Sequence, residues 1–210
     1  MSITDVKSLR QRIEEAKEFK FLKVKLGTKD DKKIIETVRT LTKKSIYVDV
    51  NQGWSNKYYA LEMINWLSEQ KVILIEQPLP KENLDDAGWL LEKSPLPIIA
   101  DEAVQKISDL IHIRDVYSGV NIKLMKSGGV KHAHQMILKA KELKFKVMMG
   151  CMTETSCAIT AASHLSPLAD WVDLDGAELI SNDLFSGMQI KDGKIVIPDG
   201  LGLGIEKLSR

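Results

Sequence analysis

The stretch FKFLKVKLG, residues 19–27, decides the fold, because its apolar and polar side chains alternate as they do in a half-buried β-strand. Three aliphatic side chains share one face of this strand, and Lys23 and Lys25 lie on the other. Two like charges therefore point in the same direction from a strand that belongs to a core. The remaining sequence must supply the reason for this arrangement.

Six further β-rich runs follow at intervals of about 25 residues, enough for a strand, a helix and two short loops. The seven runs are FLKVKLG (21–27), IYVDVNQ (46–52), VILIEQP (72–78), PIIADE (97–102), VNIKLMK (120–126), KVMMG (146–150) and WVDLD (171–175). Helical apolar stripes fill the intervals, as in DDKKIIETVRTL (30–41) and NLDDAGWLLEK (83–93). This alternation predicts a parallel α/β fold.

The number of equal units favours a TIM-like (β/α)7β barrel over a doubly wound sheet, which stays the alternative. MSI, residues 1–3, is interpreted as the remnant of a first strand. No low-complexity segment or linker divides the chain, so a single catalytic barrel domain over residues 1–210 is expected.

Composition excludes several classes of function. Thirty Lys and Arg residues nearly balance 29 Asp and Glu residues, and a net charge of +1 gives no electrostatic basis for binding nucleic acid or an anionic membrane. No apolar run approaches the roughly 20 residues of a membrane span, and the start lacks the apolar core of a signal peptide. Two cysteines, Cys151 and Cys157, form no disulfide framework, which favours a cytoplasmic location.

Charged side chains gather at the carboxyl ends of the predicted strands, where barrel enzymes place their chemistry. Asp49, Glu76 and Asp101 come from three successive strand ends. Converging carboxylates repel one another unless a cation lies among them, and all-oxygen ligation suits Mg²⁺. Structural salt bridges to the lysines are the alternative interpretation.

The predicted barrel gives the lysines a role. Lys25 and Lys123 belong to its second and sixth strands, so we expect them to face each other across the barrel axis. Lys23 lies beside Lys25, and a like charge together with partial burial lowers the pKa of an ammonium group. Lys25 is therefore predicted to be a usable base, which explains the two lysines of the opening stretch.

A second acidic pair lies near the carboxyl end of the last run. Asp173 and Asp175 are predicted to share the inward face of this strand, apart from the three predicted metal ligands. Two carboxylates there favour a receptor for a cation, most simply a substrate ammonium group. In the alternative interpretation, one carboxylate caps the following turn and the other pairs with a lysine.

The segments K-x-K, DVNQGW, IEQP, ADE and NIKLMKSGG, in this order and spacing, resemble the catalytic barrel of the enolase superfamily. Within the superfamily they are most similar to the dipeptide epimerases of the muconate-lactonizing branch. The resemblance implies removal and return of a proton next to a substrate carboxylate, with Mg²⁺ and a lysine base. Other activities of that branch remain alternatives: o-succinylbenzoate synthase, N-acylamino acid racemase and cycloisomerase.

The resemblance also implies roles for individual residues. It makes Asp49, Glu76 and Asp101 the metal ligands, Lys25 and Lys123 the acid/base pair, Lys23 a helper that neutralises the substrate carboxylate, and Asp173 and Asp175 the receptor for the ammonium group of a dipeptide. GCMTET, residues 150–155, resembles the loop that lines the substrate pocket, through Met152 and Glu154.

The family's N-terminal α+β capping domain has no counterpart in these 210 residues. We therefore expect a barrel fragment, a truncated gene product or one half of a split enzyme. An uncovered barrel mouth favours a homo-oligomer or a separate cap-domain chain as partner. A non-catalytic truncated barrel that binds Mg²⁺ is the alternative from a different functional class.

Overall fold

The computed structural model describes residues 6–209, in which seven parallel strands alternate with helices. The strands are β1 (Phe21–Lys25), β2 (Ser45–Asp49), β3 (Val72–Glu76), β4 (Ile98–Ala100), β5 (Gly119–Lys123), β6 (Lys146–Gly150) and β7 (Trp171–Asp173). The helices are α1 (Val6–Glu15), α2 (Asp31–Leu41), α3 (Lys57–Glu69), α4 (Leu84–Lys93), α5 (Ile107–His112), α6 (Leu124–Ser127), α7 (Val130–Glu142) and α8 (Ser156–Ser163). The predicted remnant of a strand at residues 1–3 lies outside the described residues.

The chain forms two compact units. The N-terminal unit contains the chain up to Ala103 together with Asp115–Ser118, and the C-terminal unit contains Val104–Arg114 and the chain from Gly119 onward. In the N-terminal unit, β1, β2, β3 and β4 pair in parallel in that order. In the C-terminal unit, β6 pairs in parallel with β5 on one side and β7 on the other.

The seven predicted strands are confirmed, and the burial of β1 follows the predicted alternation. Leu22 and Val24 of β1 are 3% and 0% exposed, whereas Lys23 and Lys25, on the opposite face of the strand, are half-buried. The apolar stripe of α2 is buried as well, as its periodicity predicted. No helix among the described residues has both the length and the apolar character needed to cross a bilayer.

Strand register brings the carboxyl ends to one level. In the N-terminal unit, Lys25 pairs with Asp49, Asp49 with Glu76, and Glu76 with Ile99. The ladder continues one residue further, because the Val50 amide donates to the carbonyl of Glu76. Side chains that share a phase therefore emerge side by side at this edge.

The corresponding level of the C-terminal unit is formed by Lys123, Gly150 and Asp173, which pair across β5, β6 and β7. The run 120–126 is not a strand throughout, because β5 ends at Lys123 and α6 begins at the next residue. Gly128 ends α6 in the left-handed region, at φ 83°, which a residue without a Cβ adopts at little cost.

The prediction that Asp173 and Asp175 share a strand is wrong. Strand β7 ends at Asp173, and Asp175 is the N-cap residue of a short 3₁₀ helix, Gly176–Leu179. After this helix, the chain forms two small antiparallel pairs of strands that were not predicted from the sequence. These join β8 (Phe185–Ser186) to β11 (Glu206–Lys207), and β9 (Gln189–Lys191) to β10 (Lys194–Val196).

Candidate metal and proton-transfer site

The three predicted metal ligands lie together at the carboxyl edge of the N-terminal unit's strands. Asp49 and Glu76 end β2 and β3 and are fully buried, and Asp101, one residue beyond β4, is 3% exposed. Each offers a carboxylate oxygen, and these oxygens all lie within 4.8 Å of one another. The structure thus brings together side chains that are 27 and 25 residues apart in sequence.

This donor set fits a hard divalent cation. Mg²⁺ prefers carboxylate oxygens at about 2.0–2.1 Å, so two ligand oxygens on opposite sides of one ion are about 4 Å apart. Oxygens within 4.8 Å need only small movements to reach that separation. Three buried carboxylates at this spacing also repel one another, which favours any cation that they can share.

Two lysines already supply positive charge to this cluster. The Lys23 ammonium lies 3.0 Å from Asp49 Oδ2 and 2.9 Å from Glu76 Oε2. Lys25 Nζ donates to Asp49 Oδ2 at 2.6 Å. The Lys23 side chain is 16% exposed and that of Lys25 is 41% exposed, so Lys23 is the more deeply desolvated of the two. The salt bridges considered as an alternative are therefore present, and they involve two of the proposed metal ligands.

Asn51 also belongs to this site, although its sequence position alone predicted no role for it. Its Oδ1 accepts a hydrogen bond from Lys25 Nζ at 2.6 Å, and its Nδ2 donates to Glu102 Oε1 at 3.2 Å. The Asn51 backbone has φ 46°, a conformation that asparagine tolerates better than most residues. Its position two residues after Asp49 placed it in phase with the charged residues, and that was the available signal.

In the C-terminal unit, Lys123 is buried, with 6% of its surface exposed, at the end of β5. Its neighbour in the register is Gly150, where a Cβ would lie 2.3 Å from Asn121 Oδ1. Glycine at this position therefore leaves room for the buried Asn121 side chain. The Lys123 carbonyl also accepts a hydrogen bond from Ser127 Oγ at 2.9 Å, which ties the end of β5 to α6.

The predicted substrate-binding residues create a negative field around Cys151. Burial is the main cause that raises the pKa of the Cys151 thiol to about 12, and the charges of Asp173, Asp175 and Glu154 raise it further. Asp173 and Asp175 are half-buried. Glu154 Oε1 accepts a hydrogen bond from the Met152 amide at 2.7 Å. The separation of Asp175 from β7 therefore does not remove it from the acidic cluster.

Comparison with known proteins identifies the family. The sequence model of the Enolase C-terminal domain-like family matches residues 5–208. An L-Ala-D/L-Glu epimerase of Bacteroides thetaiotaomicron is 51% identical over 190 residues, which cover 90% of this chain and 50% of that protein.

Two solved structures agree with this match. The L-Ala-D/L-Glu epimerase from Bacillus subtilis, in a substrate-liganded complex, has a TM-score of 0.89 at 28% identity and covers 100% of this chain and 62% of that one. A dipeptide epimerase from Cytophaga hutchinsonii, complexed with Mg and the dipeptide D-Ala-L-Val, has a TM-score of 0.88 at 25% identity, with coverages of 99% and 60%.

The chain thus spans about half the length of the Bacteroides relative. The named relatives are epimerases, which are isomerases. Sequence and structural matches confirm the predicted resemblance and the predicted fold class, a TIM-like α/β barrel domain of the enolase superfamily. The chain belongs to the Enolase C-terminal domain-like family.

Proposed function

We propose that this chain carries the catalytic residues of a Mg²⁺-dependent isomerase that inverts the carbon next to a carboxylate, with a dipeptide as substrate. The observation that carries the proposal is the cluster of three buried carboxylates, two of which lie within 3.0 Å of lysine ammonium groups. Similarity to dipeptide epimerases over nearly the whole chain supports it.

In this mechanism the residues of the chain have separate tasks. Asp49, Glu76 and Asp101 would hold Mg²⁺, which as a Lewis acid withdraws negative charge from a substrate carboxylate when it is bound. Lys25 takes the α-proton at Nζ, which the Asn51 side chain orients. Lys23 contributes fixed positive charge next to the carboxylates.

Lys123 completes the inversion. It delivers a proton to the opposite face of the carbon that Lys25 deprotonates, so that each lysine serves one epimer as base. Lys123 is buried at the carboxyl end of β5, the edge at which parallel α/β barrels place their catalytic side chains, and this position supports the task.

The proposed substrate is a free dipeptide. Asp173 and Asp175 would bind its N-terminal ammonium group, with Met152 and Glu154 in the wall of the pocket. The acidic surroundings of Cys151 support a cation receptor in this unit. A substrate with an ammonium group at one end and a carboxylate at the other matches a dipeptide, whereas the substrates of an N-acylamino acid racemase lack the ammonium group.

Exchange of the α-proton in D₂O tests the mechanism. The chain is joined to the part of the Bacteroides relative that lies outside their match, and dipeptides of both configurations are followed by mass spectrometry. Lys25→Ala should lose exchange from one epimer and Lys123→Ala from the other, while the surface variant Lys139→Ala retains both. If Lys123→Ala abolishes exchange from both epimers equally, the two-base assignment is wrong.

The same assay on the chain alone separates catalysis from binding. Thermal stabilisation by Mg²⁺ without any exchange would support only a metal-binding barrel. A single catalytic domain, a cytoplasmic location and association into a homo-oligomer or with a separate cap-domain chain remain predictions that accompany this proposal.

A further inference from the structure

Gln77 is a fully buried amide immediately after the proposed ligand Glu76. Its Oε1 accepts hydrogen bonds from the backbone amides of Asp101 at 2.9 Å and Ala103 at 3.1 Å. Its Nε2 donates to the Leu79 carbonyl at 3.1 Å and to the Tyr117 hydroxyl at 2.9 Å. Two accepted and two donated bonds use the full capacity of a glutamine side chain.

The orientation of this amide is determined by its partners. Backbone N–H groups can only donate, so the oxygen of Gln77 must face Asp101 and Ala103. Burial raises the pKa of Tyr117 to about 12, so its hydroxyl remains neutral at the other end. The backbone of Gln77 has φ 38°, an uncommon value for a residue other than glycine, and it is held by bonds on both sides.

Those bonds continue the strand ladder around Gln77. Its amide donates to the Ile99 carbonyl at 2.8 Å, and its carbonyl accepts from the Gln52 amide at 2.8 Å. The main chain of Gln77 is thus anchored to the segments after β2 and to β4, while its side chain reaches beyond the end of β4.

This reach matters because the three carboxylates are supported differently. Asp49 and Glu76 are strand residues with partners in the register. Strand β4 ends at Ala100, so Asp101 lies beyond it, and the Gln77 side chain accepts the hydrogen bond of its amide. Residues that orient metal ligands through hydrogen bonds, without contacting the metal, commonly change metal affinity 10- to 100-fold.

We propose that Gln77 is a positioning residue that sets the Asp101 carboxylate against that of Glu76 and so determines the affinity of the metal site. This inference rests on the proposed function, in which those carboxylates hold Mg²⁺. Gln77 itself contacts neither the ion nor the substrate in this role.

Mg²⁺ titration by calorimetry tests the proposal on the chain as it stands. Gln77→Met keeps the length of the side chain and removes both accepted bonds, so its Mg²⁺ affinity should fall at least tenfold. Tyr117→Phe removes one partner from the opposite end of the amide and should remain within about threefold of the unaltered chain. Leu90→Ala, which truncates a buried side chain of α4, controls for lost stability alone and should also bind normally.

The outcomes separate this inference from the proposed function. Binding that Asp49→Asn abolishes but Gln77→Met leaves within threefold would overturn the inference alone. An equal loss in Leu90→Ala and Gln77→Met would also overturn it, since stability would then explain the effect. Absence of Mg²⁺ binding by the unaltered chain would overturn both.

Amide hydrogen exchange of the unaltered chain gives a second measurement if Gln77→Met does not fold. The backbone amides of Asp101 and Ala103 should exchange much more slowly than the backbone amide of Glu82. Glu82 is exposed and lies outside the strands, so its amide does not take part in the pairing of strands. Exchange of both at the rate of Glu82 would mean that the Gln77 side chain does not hold this segment.

Discussion

Replacement of Lys23 by methionine tests the electrostatics of the acidic cluster most directly. Lys23→Met keeps the length of the side chain and removes its charge. The Lys23 ammonium group lies 3.0 Å from Asp49 Oδ2 and 2.9 Å from Glu76 Oε2, so the substitution takes a counter-charge from two fully buried carboxylates. We expect the metal-free variant to be much less stable than the unaltered chain. The reason is that buried carboxylates lose a counter-charge that water cannot replace.

The size of the effect follows from the distances. At an effective dielectric constant of about 20, two unit charges about 3 Å apart attract each other by roughly 5 kcal/mol. Desolvation of the ammonium group and its lost rotamer freedom oppose this attraction, and removal of one partner of a buried pair commonly costs about 3–5 kcal/mol. With a side chain only 16% exposed, Lys23 should lie within that range.

Urea denaturation followed by tryptophan fluorescence measures this loss, with two lysine variants as controls. Lys25→Met removes a side chain that is 41% exposed, so solvent screening should limit its effect to about 1 kcal/mol. Lys139→Met removes a surface pair with Glu142 on α7 and should cost about 0.5 kcal/mol or less.

Mg²⁺ supplies the decisive comparison, because the ion would replace the missing positive charge. Saturating Mg²⁺ should therefore stabilise Lys23→Met more than it stabilises the unaltered chain, and the gap between them should narrow. Two results would contradict this explanation: unfolding of Lys23→Met at the same urea concentration as Lys139→Met, or a stability difference between Lys23→Met and the unaltered chain that Mg²⁺ does not change.

Three other perturbations have defined outcomes. Asp31→Ala should lower the free energy of unfolding by about 3 kcal/mol in urea titration, because the buried Asp31 carboxylate accepts three hydrogen bonds. The donors are the backbone amides of Gly27 and Thr28 and the indole Nε1 of Trp54. Asp30→Ala is the control, since exposed Asp30 makes no capping hydrogen bond. Burial opposes ionisation of Asp170, but hydrogen bonds from Lys146 and the Val147 amide outweigh it and lower the pKa of this carboxyl group. Ionised Asp170 therefore stabilises the fold above its unfolded pKa, and this stabilisation is lost as the pH falls through the lower folded pKa. Asp170→Asn should accordingly make the melting temperature less dependent on pH in the acidic range. The fusion of this chain with the unmatched part of the Bacteroides relative should convert N-acetylated dipeptides about 100-fold more slowly than free dipeptides. The double substitution Asp173→Asn and Asp175→Asn should remove that preference. Equal rates for both substrates in the fusion without substitutions would favour an N-acylamino acid racemase.

The strands were predictable because short apolar runs recur at regular intervals, and because β1, β2, β3, β5 and β7 each end at a charged residue. β1 and β6 begin and end within two residues of their predicted runs, and the carboxyl-end charges lie where parallel strands must bring them. The acidic cluster followed from the cost of burying like charges, which only a shared cation or nearby ammonium groups can offset.

The uncharged residues of the site were not predictable in the same way. Gln77 and Asn51 lie at strand ends, but an amide gains a function only through partners that are distant in sequence, such as Asp101 and Lys25. Charge patterns do not reveal such partners. The signal was positional, because each amide follows a proposed ligand by one or two residues.

Short antiparallel pairs escaped prediction for a different reason. Strands of two or three residues, such as β9 and β10, are too short to show a hydrophobic period. The available signal was the Asp192–Gly193 pair between them, whose φ values of 51° and 66° match the tight turn that Asp-Gly favours. Asp175 was misplaced because alternation alone does not indicate where a strand ends.

We expect metal binding and substrate choice to depend on different physical constraints in the two units. In the N-terminal unit, Asp49 and Glu76 are fully buried, so removal of either charge disturbs its ammonium partner as well as the proposed ion. Asp173 and Asp175 are half-buried, and water can compensate more of a lost charge there. Substitutions at these two aspartates should therefore change the preferred substrate class while Mg²⁺ affinity is retained, which is the combination expected where one acid/base chemistry serves several substrates.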